Sequence, residues 1–375
     1  MNPELSSFAA RLRELIANRQ PAIGNQQFSE LALQLFALQF KHNAGYRKIC
    51  EARRLTPQII EHWTQIPAVP TAAFKELELT SLTPDERTAV FHSSGTTEQK
   101  PSRHFHNAES LGVYEASLWA SFERSILRSA DGPSASCGDG TRRRAVRAPL
   151  MLTPPPAQVP HSSLVHMLEV VRQKIGAPES SFVGELASDG SWTLDFEATL
   201  AALGHNPQLI LGTAFSFVHL LDYLVEKDLQ FELPEGSRVM ETGGYKNRSR
   251  SMPKAELHAL ITKYLGVPRE NILCEYGMSE LSSQAYDSET HPPSSILHPR
   301  TFRFPPWTRV QIISSETGRE VAEGETGLIR IFDLAIVFSV AAIQTEDLGI
   351  RRGDGFELVG RAQLAEPRGC SLLTV

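Results

Sequence analysis

Long apolar runs are missing from this chain. The longest, Leu328–Ile343, is interrupted by Arg330 and Asp333 and falls short of the roughly 20 residues that a spanning helix needs. No membrane span is therefore expected. Met1 to Arg13 mixes acidic and basic side chains without an apolar centre, which is not the pattern of a signal peptide. Cysteine is scarce. Cys50, Cys137, Cys274 and Cys370 stand far apart, with no CxxC or HxxxH spacing. That spacing announces neither a disulfide framework nor a metal motif, and a reducing, cytoplasmic setting is the simplest match. A basic excess is also missing. The net charge is −6, with no basic helix or basic–aromatic stripe to offset it, which argues against a nucleic-acid partner. No GxxxxGK[ST] stretch occurs, so a Walker-type phosphate loop is not expected. No lysine follows Lys263.

What is present is ordinary in bulk and specific in detail. With 375 residues, 41% hydrophobic and 21% charged, the chain suits a soluble protein with a large core and more than one lobe. Apolar residues recur at helical spacing through residues 3–62, for example Phe8, Leu12, Leu15 and Ile16. Residues 1–70 are thus read as a helical region packed on the main domain. Residues 71–300 alternate short apolar runs with helical patterns, which predicts an α/β core around a mostly parallel sheet. Within it, 129–148 is rich in Gly and Ser and then in Arg, and is expected to be a flexible insertion. Residues 301–375 carry short strand patterns separated by turn residues, a β-rich subdomain with a tail.

Several segments carry chemistry. Ser93-Ser94-Gly95-Thr96-Thr97 lies between an apolar stretch and a basic one holding Lys100, Arg103, His104 and His106. Glycine allows close backbone approach, and hydroxyls with free N–H groups can surround phosphate oxygens. Glu241-Thr242-Gly243-Gly244 follows one predicted strand. Glu275-Tyr276-Gly277-Met278-Ser279-Glu280 follows another. Ligands in such sheets bind beyond the carboxyl ends of the strands. Thr345-Glu346-Asp347-Leu348-Gly349, Gly360-Arg361 and Arg368-Gly369-Cys370-Ser371-Leu372 come later.

In this order the segments resemble the ATP-dependent adenylate-forming (ANL) superfamily, and within it the LuxE-type acyl-protein synthetases. Ile66–Pro70 followed by Phe74-Lys75 is similar to that branch too, and the likeness spans roughly residues 60–375. The resemblance implies an ANL-like adenylation core with a β-rich subdomain and without the mobile C-terminal lobe that carries a catalytic lysine in most of the superfamily. It implies ATP and Mg2+ as cofactors. Ser93, Ser94, Gly95, Thr96, Thr97 and Ser279 would bind the phosphates. Glu280 would hold Mg2+. Gly243, Gly244, Tyr276, Gly277, Asp347 and Arg361 would receive adenine and ribose, and Gly212–Phe215 would border the acyl pocket. Three departures from the superfamily stand out: Glu346 stands where a glycine usually precedes the Asp347 position, Glu98 replaces a glycine after the double threonine, and Lys100 is out of register, leaving Lys100, Arg103 or His104 as the phosphate cation.

Cys370, with Gly369 and Arg368 before it, matches the C-terminal acceptor thiol of the LuxE branch. The implied reaction turns a fatty acid into acyl-AMP, passes the acyl group to Cys370, and delivers it to a partner acyl-CoA/acyl-protein reductase. The alternatives are an acid ligase that passes the acyl group to a separate carrier or small molecule, and an inactive adenylation fold serving as a binding scaffold.

Overall fold

The structure, a computed structural model, describes residues 2–18, 23–93, 100–127, 148–205, 209–243, 252–288 and 300–362. The N-terminal region forms the helices Pro3–Ala17, Asn25–His42 and Ala44–Ala52. Asn2 caps the first by accepting the N–H groups of Glu4 and Leu5, and Pro3 sits where its missing N–H costs nothing. Leu5, Phe8, Leu12 and Ile16 share the buried face. The helical expectation fails for 53–62, where the chain turns: Arg54 takes a left-handed φ of +56°, and Pro57 follows.

Strand and helix then alternate as the pattern predicts. Pro149–Met151, Leu209–Thr213, Arg238–Thr242 and Ile272–Tyr276 pair in parallel. Every residue of the last two strands is buried, as expected of a sheet covered on both faces. Alternation divides their side chains. Val239 and Ile272 join Ala214–Glu226 and Lys254–Leu265 in one core, whereas Met240 and Leu273 join Ala108–Phe122 and Ser163–Ile175 in another. Residues 129–147 of the expected insertion lie outside the described residues.

Beyond residue 300 the strands Thr308–Ile313, Thr326–Asp333, Ala342–Arg352 and Gly355–Arg361 run antiparallel. They do not form a sheet of their own. Gly355–Arg361 pairs with Thr301–Arg303, which pairs with Ala285–Ser288 and through it with Ile272–Tyr276. Among the described residues a single 12-stranded sheet therefore links the parallel core to the β-rich part. The apolar 328–343 stretch belongs to this sheet and its connections, and no helix among the described residues is long and apolar enough to cross a membrane. The N-terminal helices pack on this end. Phe28 and Trp63 meet Phe332 edge-on, and buried Gln39 bonds the backbone of Ile336 and Ala341.

Candidate active site

Ala89–His92 and Arg103–His106 form a separate antiparallel pair, and the serine-rich segment connects them. Ser94, Gly95, Thr96 and Thr97 lie outside the described residues, as do Gly244 and Cys370. Ser93 marks the start of the connection. Its hydroxyl accepts the Ser102 N–H at 2.9 Å, and its N–H donates to the Ser102 carbonyl at 3.3 Å.

Ser102 ties this hairpin to the main sheet. Its hydroxyl donates to Glu280 Oε1 at 2.9 Å. His104 Nε2 stands 3.0 Å from the same hydroxyl and 3.5 Å from the carboxylate. Ser279 Oγ donates to the other carboxylate oxygen at 3.1 Å. Glu280 is only 8% exposed. Burial pushes its pKa up, but bonding to His104, the His104 charge and the Ser102 bond outweigh it and hold the carboxyl at about 2. Of the three cation candidates, His104 is the one at Glu280. Lys100 lies 3.9 Å from Glu76 and Arg103 3.6 Å from Glu78.

The other predicted residues gather at the neighbouring strand ends. Tyr276 closes its strand, and its hydroxyl donates to Asp347 Oδ2 at 2.9 Å. The Tyr276 ring is largely enclosed by Phe302, Phe304 and Phe356. Asp347 is paired in register with Arg361, whose Nε lies 3.7 Å from Asp347 Oδ1 on a side chain 82% exposed. Burial raises the Asp347 pKa, while the Tyr276 bond and the Arg361 charge oppose the rise. Gly243 ends the adjacent strand with φ +74°, a conformation that favours glycine. At Gly277 a Cβ would collide with Glu275 Oε1, so a larger residue there would have to displace that carboxyl. Gly212 is close-packed on Leu152, and the Phe215 ring meets that of His219 at a tilt of 49° with centroids 4.1 Å apart.

Sequence reasoning missed Ser102 and Glu275. Ser102 lay in the basic stretch, but only the strand pairing shows that it faces Glu280. Glu275 lies inside the Tyr-Gly motif as a fully buried carboxyl that accepts the Thr242 hydroxyl. Burial lifts its pKa to about 7.

A family model described as "Acyl-protein synthetase, LuxE" matches residues 9–108 and 186–374. A long-chain-fatty-acid–luciferin-component ligase of Aliivibrio fischeri is 24% identical over 360 residues, spanning 92% of this chain and 86% of that protein. One of Vibrio harveyi is 22% identical over 369 residues, spanning 92% and 87%. Among solved structures, 2-hydroxyisobutyryl-CoA ligase in an open conformation with 2-HIB-AMP and CoA superposes with a TM-score of 0.63 at 12% identity, covering 90% of this chain and 69% of that one. That likeness gives the fold: an ANL-type α/β adenylation domain.

Proposed function

The chain belongs to the LuxE acyl-protein synthetase family of adenylate-forming ligases, and on that premise we propose that it activates a long-chain fatty acid with ATP and receives the acyl group on Cys370. Glu280 is the observation that carries the reading. A carboxylate this buried stays ionised only where partners hold it so, and its partners come from the hairpin that the serine-rich segment connects.

The first step joins a carboxylate oxygen of the acid to the α-phosphorus of ATP and breaks the bond to pyrophosphate. The chain's part is positioning and charge compensation. Ser93 to Thr97 would surround the phosphates with hydroxyls and N–H groups, and Ser279 and His104 would border them. Glu280 with the nearby hydroxyls of Ser102 and Ser279 is an all-oxygen donor set on one carboxylate, which suits Mg2+ shared with nucleotide phosphates. Bound there, Mg2+ supplies neutralisation of the phosphate charge. Asp347, oriented by Tyr276 and Arg361, would accept the ribose hydroxyls, with Gly243 and Gly244 against the adenine. In the second step the Cys370 sulfur bonds to the acyl carbon, AMP leaves, and the thiol proton passes to solvent. The thioester would then pass to a partner reductase.

The test uses radiolabelled fatty acid, ATP and Mg2+ with the full chain. The protein should become labelled, and neutral hydroxylamine should release the label. Cys370→Ser should lose labelling and keep acid-dependent ATP–pyrophosphate exchange. Undiminished labelling of Cys370→Ser overturns the acceptor assignment, and label found only on an added carrier favours a transferring ligase. Absence of ATP·Mg2+ binding by calorimetry sinks the catalytic reading and leaves a scaffold.

A further inference from the structure

On the strands Arg238–Thr242 and Ile272–Tyr276, two residues before Gly243 and Tyr276, three buried side chains of different chemistry converge. Glu241 and Cys274 are register partners on neighbouring parallel strands. His258 reaches them from the helix Lys254–Leu265. Their ligand atoms all lie within 4.8 Å of one another. His258 Nε2 is 3.4 Å from Glu241 Oε1 and 3.8 Å from Cys274 Sγ, and Sγ is 2.8 Å from Glu241 Oε1. A tetrahedral zinc with ordinary bond lengths spaces its sulfur, nitrogen and oxygen ligands about 3.3–3.6 Å apart. The His258–Glu241 separation already matches, the His258–Cys274 one is a few tenths of an ångström too wide, and the Cys274–Glu241 one needs less than an ångström of opening.

A second observation points the same way. Glu241 Oε2 is buried and has no hydrogen-bond partner among the described residues, an arrangement that costs free energy unless something binds there. Asp287 is already engaged, accepting the Cys274 N–H and pairing with Arg300. Lys254 Nζ lies 3.1 Å from Glu241 Oε1 and balances its charge, and the Lys254 side chain, 47% exposed, also lies over the Phe302 ring.

We propose that Glu241, His258 and Cys274 form a binding site for a zinc-class transition-metal ion that clamps the helix Lys254–Leu265 to the ends of the two strands. The mixed sulfur, nitrogen and oxygen set selects such an ion over Mg2+, which takes oxygen alone. On binding, the Cys274 S–H bond breaks, a sulfur–metal bond forms and the proton leaves to solvent. Thiolate and carboxylate then neutralise the dication, and the Lys254 ammonium is displaced to water. The site is independent of ATP and of Cys370. No short motif announced it, because its ligands come from three separate elements.

The experiment strips the full chain with a chelator and titrates it with Zn2+ and, for an optical readout, Co2+. One equivalent should bind, with a thiolate-to-cobalt charge-transfer absorption that disappears in Cys274→Ala. His258→Gln should weaken binding at least tenfold, and Lys254→Met, a change at a half-exposed position, should tighten it at least tenfold. Zn2+ should raise the melting temperature of the wild type and not that of Cys274→Ala. A wild type without the cobalt–thiolate band overturns the site. So does a band that survives Cys274→Ala, or a Lys254→Met variant that binds no better than the wild type.

Discussion

Glu275 and Glu280 lie five residues apart, both buried, and the protein treats them in opposite ways. Burial raises each. Glu275 meets the Thr242 hydroxyl and the repelling charge of Glu241, and ends at about 7. Glu280 faces His104 and two serine hydroxyls, and ends at about 2. Depth therefore does not separate a structural carboxyl from a candidate catalytic one. What separates them is whether another element brings a cation and donors to the carboxylate, and here that element is the Ala89–His106 hairpin.

The largest test of this contrast is Glu280→Gln, which should lower ATP–pyrophosphate exchange by about 10²- to 10³-fold, the usual cost of losing one charge-stabilising group. An exchange rate within threefold of wild type would remove Glu280 from the site. His104→Gln should cost about tenfold, and it should move the acid limb of the exchange profile to higher pH, since Glu280 loses the partner that holds its pKa down. An acid limb that stays in place would separate His104 from Glu280. Tyr276→Phe should raise KM for ATP about 2- to 10-fold with kcat little changed, the effect of one lost hydrogen bond to Asp347. A drop in kcat alone would place Tyr276 in the chemistry instead.

Glu275→Gln should leave exchange within about twofold of wild type and act on stability instead. Its pKa is raised from 4.5 to about 7, so the folded state binds the proton more tightly than the unfolded one. Stability is fullest below pH 4.5 and falls as pH rises toward 7. The Gln variant should match wild type near pH 4 and melt higher at pH 8, the gain being on the order of 1–3 kcal/mol. Glu280 has the opposite sign. Its pKa is lowered from 4.5 to about 2, so its contribution, roughly 3 kcal/mol, is present above pH 4.5 and lost as pH falls toward 2. Parallel pH–stability curves for Gln variants at the two positions would erase the distinction.

Much of the parallel core was legible because its strands are short apolar runs with clear ends. The strands read before the Gly243-Gly244 and Tyr276-Gly277 motifs are Arg238–Thr242 and Ile272–Tyr276. The site motifs fell at the strand ends for the same reason. The pairing of Arg103–His106 with Ala89–His92 was not legible: a stretch reading Arg-His-Phe-His shows no dominant hydrophobic period, and its strand character comes from the partner. Ser102 and His104 were hidden with it. The continuity of the sheet across residue 300 was equally invisible, because it runs through Ala285–Ser288 and Thr301–Arg303, two short strands whose register no local pattern encodes.

That continuous ladder bears on how a ligand can be admitted. Tyr276 and Asp347 stand on strands of one sheet, so the wall they form cannot part without tearing backbone hydrogen bonds. The serine-bearing hairpin has its own two-stranded ladder and reaches the wall through the side-chain bonds of Ser102 and His104 to Glu280. Parting the hairpin from that wall would break the Glu280 contacts and pull buried Phe91 away from Met240 and Leu273, but no strand ladder.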